Sequence, residues 1–105
     1  MGMAEPIPFK MNDANMLRII RHLAQDTGNV YIKSHAKKRM RQRQITLSQV
    51  YACLRKGAIA EPAHTTIRGA WKCTLQHRHA GDEVNVVAVL EKDESGDWIA
   101  VVTVF

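Results

Sequence analysis

Two stretches near the C-terminus constrain this chain more than any other feature: VNVVAVL at 84–90 and WIAVVTVF at 98–105. Each has strand length, is rich in β-branched residues and is apolar at successive positions in its middle, so neither face of such a strand belongs in water. A sheet that needs cover on both sides follows. GDE at 81–83 and ESGD at 94–97 supply turns on either side of the first of these, which is read as a strand through VNVVAVLEKD at 84–93. Upstream, AWKCTLQHRHAG at 70–81 alternates cleanly, with Trp71, Cys73, Leu75, His77 and His79 on one side and Lys72, Thr74, Gln76 and Arg78 on the other. Two hairpins in succession predict a three-stranded antiparallel meander. A fourth strand can come from 58–67, where Pro62 forbids a central position, or from VYIK at 30–33.

The first half of the chain is helical. In 12–29, Met16, Leu17, Ile20, Leu23 and Ala24 recur at helical intervals, Asn12 or Asp13 can cap the start, and Gly28 can close the end. Ser34 can cap a second helix reaching Gln42 or Arg43, and Thr46 a third from Leu47 to Lys56, closed by Gly57. The expected fold is α+β, with N-terminal helices packed on a mainly antiparallel sheet of three to four strands. Residues 1–11, with Pro6 and Pro8, are expected to be a flexible leader, and 12–105 a single domain. Apolar residues at 46% and charged residues at 24% place that domain among ordinary globular chains. Cys53 and Cys73 carry no CxxC or CxxH spacing and are expected to be buried free thiols. No apolar run is long enough for a membrane span, and the expected location is the cytoplasm.

Net charge is +5, but its distribution says more: no acidic residue lies between Asp26 and Glu61, a stretch holding eight of the fifteen lysines and arginines. A local patch of that kind attracts polyanions, of which nucleic acid is the commonest in cells, and would attract an acidic protein equally well. Its densest part is SHAKKRMRQR at 34–43. On a helix, His35, Arg39 and Arg43 fall at i, i+4 and i+8, Ala36 and Met40 form an inward stripe, and Lys37, Lys38 and Arg41 face solvent. His35 and Arg39 are thereby expected half-buried at the edge of the core.

RNA cleavage by 2′-hydroxyl attack requires a base, cations for the phosphorane and an acid for the leaving oxygen. Histidine suits the proton transfers and arginine the charge. The candidate catalytic residues are therefore His35, Arg39 and Arg43, with His77 as a second proton-transfer group; Lys33, Lys37, Lys38, Arg41, Lys72 and Arg78 are candidate nucleic-acid contacts. The acids at Asp82 and Glu83 and from Glu91 to Asp97 fall mainly in turns, so clustered carboxylates for magnesium are missing, and no cofactor or metal is expected. His77 and His79 make a lone HxH, a weak metal signal. Trp71 and Trp98 are assigned to packing, since base stacking would require exposed rings.

Residues 32–59, IKSHAKKRMRQRQITLSQVYACLRKGAI, resemble a segment of small bacterial domains of unknown function grouped with the RelE/ParE toxin superfamily, near BrnT. The core Ser-His-Ala-x-x-Arg-Met-x-x-Arg is the most specific part, and the similarity continues more loosely through VNVVAVL to the final WIAVVTVF. The resemblance implies a curved RelE-like sheet, mRNA cleavage, often on the ribosome, and neutralisation by an antitoxin, with His35, Arg39 and Arg43 at the pattern's histidine and arginines. One departure stands out. Many RelE relatives carry a tyrosine near the C-terminus, whereas this chain ends in Phe105 and has tyrosines only at 31 and 51. Two functional readings result: a toxin-like, metal-independent endoribonuclease, or a non-catalytic module binding nucleic acid or an acidic partner. The doubly apolar strands leave room for a homodimer.

Overall fold

The computed structural model describes residues 11–105. The elements run α1 (Asp13–Leu23), a 3-10 turn (Thr27–Asn29), β1 (Val30–Ile32), α2 (Ser34–Arg43), α3 (Leu47–Lys56), β2 (Ala58–Thr65), β3 (Trp71–His79), β4 (Asp82–Asp93) and β5 (Gly96–Val104). All but the end of the expected leader lies outside the described residues; that end, Met11, packs against the core.

The sheet has five strands in the order β1-β5-β4-β3-β2. Both segments proposed for a fourth strand join it, at opposite edges. The expectation of three to four strands is thus corrected, and the sheet is mixed, because β1 pairs parallel to β5 while the other pairs are antiparallel. A three-residue strand has no periodicity of its own; β1 exists because β5 offers it a ladder. Pro62 sits in edge strand β2, where the pairing to β3 shifts register on either side of Glu61.

The helices cover one face. Met16 and Ile20 of α1, Ala36 and Met40 of α2, and Val50, Cys53 and Leu54 of α3 join Cys73, Leu75, Val84, Val86, Ala88, Ile99, Val101 and Val104 in one core. Val101 and Val104 both reach it because the β4–β5 register shifts between Val87 and Ala88, leaving Val102 as an extra residue. Val87 (6% exposed), Val89 (6%) and Ala100 (0%) are buried on the opposite face, outside that core. The helices supply one of the two covers the strands call for; among the described residues no helix lies over the second face, where Lys72 stands opposite Val89 and Thr74 and Thr103 opposite Val87.

Local chemistry explains the helix ends. Asn12 caps α1, its Oδ1 accepting from the Asn15 N–H at 2.8 Å. The helix stops at Leu23, short of Gly28, because Asp26 accepts from the Gly28 N–H (2.8 Å) and Asn29 donates to the Leu23 carbonyl (3.1 Å), competing with further helical bonds. Lys33 rather than Ser34 is the N-cap of α2, and no side chain caps it; the Lys33 N–H is held by the Val101 carbonyl at 3.0 Å, which ends the strand there and starts the helix one residue early. Thr46 and Gln49 form a reciprocal capping box on α3. Gly57 closes α3 as expected, and a Cβ there would stand 2.5 Å from the Cys53 carbonyl oxygen and 2.9 Å from that of Gln76. Two arginines cross-tie the helices: Arg21 donates to the Gly57 carbonyl (3.1 Å) and Arg55 to the Ala24 carbonyl (2.8 Å), each capping the end of the other's helix.

Candidate nucleic-acid interface

Ala36 (0% exposed) and Met40 (9%) turn inward, which leaves Lys37, Lys38, Arg41 and Arg43 of α2 exposed and Arg39 half-buried. None of these cations forms an ion pair with a described residue; the ion pair that does form joins Arg78 to Glu83 at 3.7 Å. Lys37 and Arg41 are like charges at i and i+4, and Lys37 and Lys38 lie near the positive end of the helix dipole, so the helix carries repulsion that no described residue compensates. A polyanion would relieve it. Arg78, by contrast, has Glu83 beside it, in a pair whose side chains are both exposed.

Arg39 lies at the core edge as expected, its Nε buried without a partner among the described residues. His35 does not; it is exposed. Helix side chains lean toward the N-terminus, so in the first turn His35 reaches past the covered part of the helix while Arg39 lies back over a packed turn. The His35, Arg39, Arg43 stripe survives on an unbroken helix, spanning roughly 12 Å along the axis at 1.5 Å per residue.

That span separates the two histidines. The start of α2 is tied to Val101, which pairs with Ala88. His77 is half-buried on β3 opposite Val84, and Arg43 lines a cavity of about 290 Å³ with Asp82, Glu83 and Val84. His77 therefore sits at the Arg43 end of the helix, away from His35. The backbone of His79 pairs with Asp82 at the end of β3. No group of three His, Cys, Asp or Glu side chains is gathered for a metal ion among the described residues.

The sheet face opposite the helices holds a second cluster. A groove of about 250 Å³ is lined by Lys33, Arg68, Lys72, Glu91 and Thr66 over Val89 and Val102. Lys72 and Glu91 are half-buried, as befits side chains on central strands. Lys33 follows Tyr31 and Ile32 in strand alternation and reaches the face from the β1 edge. Arg68 is carried over it by the β2–β3 turn, where the Thr66 N–H bonds the Ala70 carbonyl (2.7 Å) and the Gly69 N–H the Thr66 carbonyl (2.9 Å), with Gly69 at φ 84°.

Sequence reasoning named Lys33 and Lys72 but missed Arg68 and Glu91. Arg68 was hidden in a stretch without periodicity; the TTIRGA turn signal was its only trace. Glu91 falls within the strand expected at 84–93 but was grouped with acids lying mainly in turns and given no role; the ladder carries it, continuing past the apolar run through Glu91–Trp98, Lys92–Asp97 and Asp93–Gly96. Asp82 and Glu83 likewise belong to β4, because the turn before it is made by Ala80 and Gly81, both at positive φ.

A family model described as a domain of unknown function, DUF4258, matches residues 32–105. The chain belongs to the DUF4258 family. No curated protein and no solved structure matches it. The DUF4258 match contains α2, α3, β2 to β5 and every residue of the groove and of the His35, Arg39, Arg43 stripe, and it leaves out α1, whose Met16 and Ile20 are nonetheless 0% exposed.

Proposed function

We propose that this DUF4258 domain binds RNA and cleaves it without a metal ion, as a toxin-like member of the RelE/ParE superfamily near BrnT, on a RelE-like fold. The observation that carries the reading is the groove on the sheet face opposite the helices, lined by Lys33, Arg68 and Lys72 with a single carboxylate, Glu91, and adjoining through Lys33 a helix whose cations pair with no described residue. The Ser-His-Ala-x-x-Arg-Met-x-x-Arg resemblance supports the family relationship. The same reading carries mRNA, including mRNA on the ribosome, as substrate, an antitoxin as neutralising partner, and a cytoplasmic location.

In the proposed reaction Glu91 takes the proton of the 2′-hydroxyl, and the 2′ oxygen attacks the adjacent phosphorus. The bond to the 5′ oxygen breaks, a 2′,3′-cyclic phosphate forms, and the departing oxygen takes a proton from an acid. Lys33, Arg68 and Lys72 meet the negative charge that grows on the phosphorane oxygens. His35 is the candidate acid, with Arg39 and Arg43 holding the RNA along the helix and Lys37, Lys38 and Arg41 adding sequence-independent attraction. His77 is not part of this set.

A second reading, a non-catalytic module that binds nucleic acid or an acidic partner through α2, is favoured by the separation of His35 from His77. Incubation of the full chain with long labelled RNA in EDTA, with cleavage and binding measured in parallel across salt, separates the two. Cleavage by the wild type, abolished in Glu91→Gln and reduced in His35→Ala while affinity persists, is the expected result. Salt-sensitive binding with no cleavage in any form moves the domain to the binding module, and absence of salt-sensitive RNA binding refutes both the nuclease and a nucleic-acid-binding module, leaving an acidic partner for α2.

A further inference from the structure

We infer that the sheet face opposite the helices reads single-stranded RNA, one nucleobase stacking at Tyr31 and Trp98 while a neighbouring phosphate occupies the Lys33, Arg68 and Lys72 groove. The inference rests on the RNA-binding reading and adds the substrate class and a base site.

Tyr31 is 57% exposed, although it lies on a strand between two residues that pack against the core, Val30 and Ile32. Its ring meets that of Trp98 edge to face, with centroids 6.3 Å apart and an interplanar angle of 85°. An edge-on pair leaves an aromatic face unused. Beside the two rings is a cavity of about 360 Å³, lined also by Asn29, Asp93 and Asp97, within the size range of small-ligand sites.

The register joins this cavity to the cationic groove. Tyr31 pairs with Ala100, Ala100 with Val89 and Val89 with Lys72, so these side chains share one face. Tyr31 is two residues before Lys33, and Trp98 stands directly opposite Glu91. An aromatic site thus adjoins the cationic groove on one face of the sheet.

The chemistry of the two ends differs in the sense a nucleotide requires. The groove presents three cations to one carboxylate, which suits a phosphate. The aromatic cavity presents Asp93 and Asp97, which repel phosphate but accept hydrogen bonds from the amino groups of adenine, cytosine or guanine. A duplex keeps its base faces stacked inside, so only an unpaired base can use the rings. Uracil, with a single ring N–H and no amino group, is the poorest fit.

The test titrates the full chain with fluorescent oligoadenylate, oligouridylate, an RNA duplex and inorganic polyphosphate, for the wild type, Tyr31→Ala, Tyr31→Phe and the double substitution Lys37→Gln with Lys38→Gln. Melting curves verify that each variant is folded. Oligoadenylate should bind more tightly than oligouridylate or duplex; Tyr31→Ala should weaken it about tenfold and leave polyphosphate binding unchanged, and Tyr31→Phe should retain wild-type affinity. If Tyr31→Ala matches the wild type while the lysine variant loses affinity, the base site is overturned and the RNA-binding reading stands. Equal loss of RNA and polyphosphate in Tyr31→Ala, or full competition by polyphosphate at equal phosphate concentration, also overturns it. Failure of every nucleic acid to bind overturns the reading on which it rests.

Discussion

Burial pushes the thiols of Cys53 and Cys73 from 9.0 up to about 12. The unfolded chain loses these protons near pH 9, whereas the folded chain keeps them to about pH 12. Their contribution is therefore fully present below pH 9 and falls as pH rises toward 12, by up to roughly 1.4 kcal/mol per pH unit for each thiol. Urea denaturation between those limits should show a shallower decline for the Cys53→Ala, Cys73→Ala double variant than for the wild type; equal slopes would contradict the assignment. The buried thiols were legible in the sequence, since Cys53 fell on the apolar stripe of a helix and Cys73 on the inward set of an alternating strand. The cations were not sortable in the same way. Arg21 and Arg55 are ties between helix ends, Arg78 is paired with Glu83, and Arg68 faces a groove, but nothing in the residue type separates these fates.

Helix α2 is the element in which stability and binding pull in opposite directions. It has no side-chain cap, no acid in its ten residues, and like charges at helical neighbour positions. Replacing Lys37 by Gln removes repulsion from Arg41 and should raise stability by about 0.2–0.5 kcal/mol. The same change should weaken RNA binding and reduce the magnitude of the log K against log salt slope by roughly 0.7 if one single-strand phosphate contact is lost. Thermal melts and salt titrations of the one variant test both. A gain in stability with unchanged RNA affinity would leave the charge of α2 without the role assigned to it. The existence and inner stripe of this helix were evident from spacing. Its first residue was not, because the boundary is decided by the bond from Lys33 to Val101 in another element.

At the scale of the whole molecule, one layer of helices lies over one face of a five-stranded sheet, and among the described residues the other face is lined by side chains of its own strands and by the β2–β3 turn. Helix α1 lies outside the DUF4258 match, yet Ile20 is completely buried and Asp13 accepts from the Ala63 N–H at 2.8 Å, occupying a backbone donor of edge strand β2. Ile20→Ala should cost about 2–5 kcal/mol, measured by urea denaturation. A cost under about 1 kcal/mol would show that α1 is dispensable to the core that the family segment builds.

Sequence by itself determined the α+β class, the three helices, the β3–β4–β5 meander and the positive character of α2, because each depends on periodicity, capping residues or charge within a short window. Tertiary structure alone decided the rest. The parallel pairing of β1 with β5, the bulge that sends Val104 into the core, the exposure of His35 and its separation from His77 all depend on which distant segments meet. So does the groove, whose members Lys33, Arg68, Lys72 and Glu91 are scattered over four parts of the chain and converge only when the strands are laid side by side.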